Sequence, residues 1–108
     1  MTRATRFSLA PGQIATVEGT GIRVEFVTVL GDSRCPADVV CVQMGEAIVQ
    51  LRVNDNGLFS SYEVRTGAPE RASVMHRDLR IELIDLQPYP FTARRIDPFD
   101  YRATLTTR

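Results

Sequence analysis

Cys35, Cys41 and Met44 are the residues whose types and spacing could most readily do chemistry, because they offer soft sulfur ligands. A copper(I) site built from them is chemically reasonable. Structural zinc usually takes cysteines two to four positions apart and needs four ligands, whereas redox catalysis favours Cys-x-x-Cys. The spacing here is Cys-x5-Cys, with Pro36 just inside the loop. It favours a short structural disulfide, and we expect no metal ligands.

His76 is the only histidine, and Asp78 could orient it as a general base from the same strand face. No serine or cysteine lies in a nucleophile turn such as G-x-S-x-G. We therefore expect an ordinary half-exposed histidine, no catalytic residue and no enzymatic activity. The sequence also lacks nucleotide, flavin and haem motifs, which predicts no cofactor. The run Asn54-Asp-Asn-Gly57 is predicted to be a turn and not a calcium loop, because its potential ligands are consecutive.

The length of the chain fits a single β-domain spanning residues 1–108. Its 13 basic residues, all of them arginine, balance 13 acidic residues, and the two signs are interspersed. This pattern contains no basic patch of the kind that binds nucleic acid. No stretch approaches the roughly 20 apolar residues of a transmembrane helix. We therefore expect neither a nucleic-acid partner nor a membrane-spanning segment.

Residues 22–30 first alternate between apolar and polar side chains, as a half-buried strand does. The alternation then fails, because the second half of the strand is apolar on both faces, which predicts a cover over the outer face. We expect residues 32–45 to form that structural lid. Its buried side chains would be Val39, Val40 and Val42. Within the lid, Arg34 is expected to bridge Asp32 and Asp38 or loop carbonyls.

Residues 47–53 and 59–66 predict a β-hairpin, since Asn56-Gly57 tolerates the positive φ values of a type I′ turn. A two-residue loop fixes the register of the two strands. The facing pairs on one side would be Val49 with Val64 and Leu51 with Tyr62. The opposite side of the hairpin would be polar. One apolar and one polar face is what a correct register should give.

Further short strands are predicted over residues 5–9, 13–18, 72–76, 79–83 and 101–107. Three prolines forbid a central strand between Gln87 and Pro98, so this segment is expected to be a long ordered loop. Asp97 and Asp100 beside Pro98 are expected to be turn or cap residues. The sequence therefore predicts an all-β fold, an antiparallel β-sandwich or partly open barrel of about 7–8 short strands with one disulfide-clasped loop.

The stretch Asp32-Ser-Arg-Cys-Pro36, followed by Cys41-Val42 and Gly45-Glu-Ala47, resembles a motif of small exported bacterial proteins, many of them lipoproteins or periplasmic proteins. Such proteins commonly carry Trp-Ala where this chain has Gln43-Met44, so a role for that tryptophan is not carried over. The resemblance implies an oxidised clasp and a periplasmic or lipid-anchored location, with the export signal absent from this sequence. We expect a structural role for the motif residues Asp32, Ser33, Arg34, Pro36 and Gly45.

On these grounds we expect a non-catalytic exported β-domain with a binding or structural role in the cell envelope. Its partner would be an unidentified protein or envelope component. The sequence leaves the oligomeric state open, a monomer included. The alternative is a small metal-handling protein of copper type, or a minor enzyme, that uses Cys35, Cys41, Met44 and His76.

Overall fold

The computed structural model describes residues 5–108 and folds them into eight β-strands with no α-helix. The strands are β1 (Thr5–Leu9), β2 (Ile14–Val17), β3 (Ile22–Asp32), β4 (Ala47–Asp55), β5 (Leu58–Arg65), β6 (Ser73–His76), β7 (Leu79–Gln87) and β8 (Arg102–Thr107). Two single 3₁₀ turns, Pro69–Arg71 and Pro98–Asp100, lie in the connections. The all-β prediction is confirmed.

The strands form two four-stranded antiparallel sheets that pack face to face as a sandwich. One sheet has the order β1-β8-β7-β6 and the other the order β2-β3-β4-β5. Inward-facing side chains of both sheets meet in one apolar cluster, because alternate residues of a strand point to the same face. Its largest fully buried apolar members are Phe26, Leu51, Ile81, Leu86 and Leu105.

The β4–β5 hairpin has the predicted register. Val49 faces Val64 and Leu51 faces Tyr62. The turn residues Asn56 and Gly57 have φ values of 52° and 93°, which a type I′ turn requires. The turn chemistry and the hydrophobic alternation specify the same pairing, and the prediction is confirmed.

β3 departs from the prediction in its second half. The register between β3 and β4 shifts between Phe26 and Thr28 and again between Val29 and Gly31, so Val27 and Leu30 are extra residues at two bulges. An extra residue changes which face the following side chains occupy. The apolar run therefore comes from two bulges and not from a strand buried on both faces. Leu30 accordingly remains 52% exposed, and the expected need for a cover was wrong.

β7 extends past its predicted end at residue 83 to Gln87 and carries a bulge between Leu83 and Asp85. The proline-containing segment that follows contains no strand up to β8, as predicted, and only an isolated bridge between Phe91 and Arg94. Asp97 caps the 3₁₀ turn by accepting a hydrogen bond from Phe99 N at 2.9 Å, which confirms its predicted capping role. This extended β7 brings the end of one sheet beside the cysteine-containing segment of the other.

Candidate functional site

The cysteine loop, residues 33–46, connects β3 to β4 and is closed at its base by main-chain hydrogen bonds. Ser33 N donates to Glu46 O at 2.8 Å, and Cys35 N donates to Met44 O at 2.7 Å. Gly45 has a φ of +66°, and a Cβ atom there would overlap the carbonyl oxygen of Ser33. Only glycine fits at this position, because the two sides of the loop base approach too closely for any side chain.

Arg34 joins this loop to the other sheet. Its Nε and Nη2 atoms donate to the two carboxylate oxygens of Asp32 at 2.8 and 2.7 Å. Nη1 also donates to Leu86 O at 2.7 Å, and Nη2 to Pro88 O at 2.9 Å. Tyr101 completes the group by donating from its hydroxyl to Asp32 Oδ2 at 2.8 Å. The predicted contact of Arg34 with Asp32 is confirmed, but the carbonyls it reaches belong to β7 and the residue after it and not to the cysteine loop. The group therefore connects the end of β3, the end of β7 and the residue before β8.

The ionisation of this group follows from its surroundings. Burial acts to raise the pKa of Asp32, but the hydrogen bonds from Arg34 and Tyr101 outweigh it and hold that pKa below its usual value. Burial acts to lower the pKa of Arg34, and the bonded carboxylate reverses that effect and raises it. Burial, together with the hydrogen bond to Asp32, raises the pKa of Tyr101 to about 12. The ion pair and the neutral phenol therefore persist throughout the neutral range.

The tip of the cysteine loop is fixed separately from its base. Cys35 and Cys41 form a disulfide, as predicted, and a ring of this size contributes about 2.4 kcal/mol in the chain-entropy relation. Ala37 N donates to Pro90 O at 2.8 Å. The carboxylate of Asp38 accepts from Thr92 N and Oγ1 at 3.1 and 2.5 Å. Asp38 thus holds the proline-containing segment, and its predicted contact with Arg34 was wrong.

The valines of the cysteine loop do not form a lid. Val40 and Val42 are fully exposed, Val39 is 42% exposed, and the neighbouring Met44 is 75% exposed. The loop is held by main-chain contacts, the disulfide and polar side chains, so its apolar side chains are free to point outward. The predicted burial of these valines was wrong, and the loop instead presents a clamped apolar surface to solvent.

A cleft of about 900 Å³ opens beside this surface. One wall is the cysteine loop from Arg34 to Gly45, the opposite wall is the β5–β6 connection from Thr66 to Ala72, and the floor is the end of β7 from Glu82 to Leu86. Tyr89 closes one side. The exposed Ile84, which lies at the β7 bulge, adds a further apolar side chain. Such a cleft is within the size range of ligand-binding sites in proteins.

Glu46 supports the wall opposite the loop. Its Oε1 atom pairs with Arg65 at 3.2 Å and with Arg71 at 3.3 Å. A Cβ atom on Gly67 would lie 2.8 Å from the Cβ of Glu46, so the chain passes directly over this side chain. These contacts tie the β5–β6 connection to the start of β4 and hold the wall in place.

Asp85 provides the uncompensated charge of the cleft. It accepts hydrogen bonds from two neutral donors, Gln87 Nε2 at 2.9 Å and Tyr89 Oη at 3.2 Å. Arg34 is already paired with Asp32 and lies 5.2 Å from the centroid of the Tyr89 ring. No arginine forms an ion pair with Asp85 within residues 5–108. The cleft therefore combines an apolar lining with two acidic side chains. Glu82 Oε1 lies 3.9 Å from Arg80 Nε and 3.7 Å from Arg108 Nη2, whereas Asp85 has no such partner among residues 5–108.

His76 lies elsewhere, between the two sheets near the β4–β5 turn. Tyr62 Oη is 2.7 Å from its Nδ1 atom, and Asp55 Oδ2 is 3.0 Å from its Nε2 atom. Arg77 Nε lies 3.1 Å from the same carboxylate oxygen. His76 is buried, so the expected half-exposed position was wrong. Among the described residues its side-chain partners are Tyr62 and Asp55 and not Asp78. Its partners are 14 and 21 residues away, which is why the local spacing did not reveal them.

The metal-handling alternative would need Cys35, Cys41, Met44 and His76 to act together as metal ligands, and the structure does not bring them together. Both thiols are consumed by the disulfide, and a disulfide offers no thiolate for soft-metal binding. His76 is engaged by Tyr62 and Asp55 and not by the cysteine loop. The predicted turn at residues 54–57 is also present, with Asn54 Oδ1 accepting from Gly57 N at 2.8 Å.

Searches against protein-family models, curated proteins and solved structures find no match to this chain. Across residues 5–108 the structure contains no helix with the length and apolar character needed to cross a membrane.

Proposed function

We propose that the protein is a non-catalytic, exported β-domain that binds a partner protein through the cysteine-loop end of its sandwich. The single observation that carries this proposal is the full exposure of Val40 and Val42 on a clamped loop beside an apolar cleft. Water-exposed apolar side chains are costly when they are grouped together, and contiguous exposed patches mark interaction surfaces.

The way the loop is held supports a binding role. Three sets of contacts fix the loop. Arg34 holds its base, the Cys35–Cys41 disulfide closes its ring, and the hydrogen bonds between Asp38 and Thr92 hold its tip. A loop that is already ordered loses little conformational entropy when a partner binds it. Binding residues are typically carried on loops that a rigid scaffold positions.

Two further parts of the proposal, that the protein is non-catalytic and that it is exported, rest on separate observations. The one histidine and its carboxylate partner are buried in internal hydrogen bonds, so neither lies at the cleft as a general base. Disulfides persist mainly in oxidising compartments, which favours export. The motif resemblance of residues 32–47 favours the same location.

A short neutral peptide tests the proposal. The acetylated and amidated pentapeptide Val-Thr-Val-Thr-Val would be titrated into ¹⁵N-labelled protein while amide shifts are recorded. We expect the shifts to concentrate on the cysteine loop and on β7. Ile84→Asn should weaken binding at least threefold, because it replaces an apolar contact in the cleft. Ile14→Asn is the matched control, since Ile14 is equally an exposed isoleucine but lies on β2.

Equal weakening by the two substitutions would contradict the proposal, and so would shifts that are absent from the cleft. An effect confined to Ile84→Asn, with unchanged thermal stability of both variants, would support it.

A further inference from the structure

β5 lies at the edge of its sheet and has a paired strand only on its β4 side. With eight residues it is the longest edge strand in the described part of the chain, since β1 has five and β2 and β6 have four each. Proteins usually protect an edge of this length with a proline, a bulge or an inward-facing charge. β5 has none of these, because its register with β4 is continuous from Leu58 to Arg65 and its residues on the core side carry no charge. Such an edge can pair with a further strand.

The outward main-chain groups of this edge have no hydrogen-bond partner within residues 5–108. Thr66 N donates to Ala47 O at 3.1 Å. Because successive residues direct their main-chain groups to opposite sides, the even-numbered residues of β5 also bond to β4. The N–H and C=O groups that point away from β4 belong to the odd-numbered residues Phe59, Ser61, Glu63 and Arg65. Apart from the pairing with β4, the hydrogen bonds of β5 among the described residues join side chains only, so these main-chain groups are available to a partner strand.

The outer face of β5 is complementary to a second copy of itself that runs in the opposite direction. In a two-fold arrangement in which Tyr62 faces Tyr62 of the second copy, the two strands overlap from Phe59 to Arg65. Ser61 then faces Glu63 of the second copy and can donate a hydrogen bond to its carboxylate. Phe59, which is 62% exposed, faces Arg65, whose aliphatic stem can cover the ring. Each contact occurs twice, because the symmetry repeats it.

Other registers of the same symmetry fit less well. A shift in one direction sets Glu63 opposite Glu63, and like charges directly opposite each other are destabilising. A shift in the other direction sets Ser61 opposite Ser61 and leaves Arg65 opposite Gly57 in the hairpin turn. Pairing about Val64 would join Glu63 to Arg65, but β5 ends there and most of its edge would stay unpaired. The register about Tyr62 therefore uses the edge most completely.

We propose that two copies of this chain associate by antiparallel pairing of their β5 edges about Tyr62, which joins their two β2-β3-β4-β5 sheets into one continuous sheet. No residue of β5 lines the cleft, so this surface is separate from the proposed binding site. Pairing of sheet edges supplies main-chain hydrogen bonds and leaves the outer side chains to select the partner. A single strand buries little area, and interfaces below about 1,200 Å² are weak. We therefore expect a dimer that forms at concentrations of about 0.1–1 mM.

Charge substitutions at Ser61 test the register. Sedimentation equilibrium would be measured up to about 1 mM at low ionic strength, where charge pairs are least screened. Ser61→Lys sets a cation opposite Glu63 of the second copy and should lower the dissociation constant of the dimer at least threefold. Ser61→Glu sets two carboxylates opposite each other and should raise it at least threefold. Thr16→Lys and Thr16→Glu are the controls and should change it less than twofold, because Thr16 is exposed on β2 at the other edge of the same sheet. It also faces Arg23 as Ser61 faces Arg52.

Amide hydrogen exchange tests the strand geometry. An added strand protects only the N–H groups that point away from β4. Between about 0.02 and 1 mM protein, we expect exchange to slow at least 1.5-fold at the odd-numbered residues from Phe59 to Arg65. The even-numbered residues, whose N–H groups already bond to β4, should show no such change.

Opposite effects of Ser61→Lys and Ser61→Glu, together with alternating protection along β5, would support the β5 dimer. A chain that stays monomeric at 1 mM would overturn it. So would a dimer that responds equally to the Ser61 and Thr16 substitutions, or slowed exchange that leaves the odd-numbered β5 amides unchanged. The peptide titration at the cleft is a separate measurement, so none of these results decides the proposed function.

Discussion

The guanidinium of Arg34 and the carboxylate of Asp32 form a two-point ion pair with side-chain exposures of 7% and 12%. The same guanidinium reaches two carbonyls of the other sheet, at Leu86 and Pro88. Two residues of one short motif therefore hold the end of β3, the cysteine loop and the end of β7 together. This is the arrangement that forms the cleft and keeps the exposed valines in place.

Arg34→Met is expected to destabilise the protein by about 3–5 kcal/mol, because it leaves Asp32 buried without its cation. Arg52→Met is the control, since Arg52 is 49% exposed and pairs with Glu25 at 2.6 Å. An exposed pair of that kind contributes about 1 kcal/mol or less. Urea unfolding measures both, and equal losses for the two variants would show that the Arg34 pair is not a structural clamp.

Tyr101 should make stability sensitive to alkali. Its folded pKa of about 12 lies above the ordinary value of 10.0, because of burial and its bond to Asp32. Folding therefore favours the protonated phenol, and its contribution is complete below about pH 10 and lost as pH rises towards 12. Tyr101→Phe should lack that loss. Denaturation curves for both proteins across this window test the prediction, which fails if the difference between them stays constant.

Val40→Ala should change the free energy of unfolding by less than about 0.5 kcal/mol, because the side chain is fully exposed. The same substitution at the fully buried Val49 should cost about 2 kcal/mol, since it removes buried methyl groups and leaves a cavity. Thermal and urea unfolding of the two variants decide the matter. A large loss at Val40 would restore the idea that the cysteine loop is a lid.

His76→Phe should destabilise the fold by about 2 kcal/mol or more, because Tyr62 and the buried Asp55 lose their hydrogen-bond partner. Asp78→Asn should change stability by less than about 0.5 kcal/mol, since Asp78 does not take part in this network. Calorimetry of both variants provides the comparison. Equal stability of wild type and His76→Phe would mean that the network makes no net contribution.

The sequence alone predicted the structure correctly where several local signals agreed. It failed where the deciding contacts join residues that are far apart in the chain. The β4–β5 register followed from the Asn56-Gly57 turn and the alternation around it, because both act over a few residues. The β3 bulges were not predictable from the sequence. An extra apolar residue at a bulge produces the same run of apolar residues as a strand that is buried on both faces. Arg34 reaches carbonyls 52 and 54 residues away, which no local pattern encodes.

Long-range contacts also explain why the candidate site was predicted only in part. The cysteine spacing predicted the disulfide, but whether the loop valines face inward depends on how the loop is anchored to Pro90 and Thr92. That anchoring joins two segments far apart in the chain. The cleft is visible only once these segments have been brought together.

Nuclear Overhauser contacts between the peptide Val-Thr-Val-Thr-Val and the protein test the central claim most directly. With this peptide at saturation, we predict contacts from the peptide methyl groups to Val40, Met44 and Ile84 around the cleft. The exposed pair Leu58 and Phe59 on β5 offers the competing apolar surface. Contacts to that pair, with none to the cleft, would contradict a binding site at the cysteine-loop end of the sandwich.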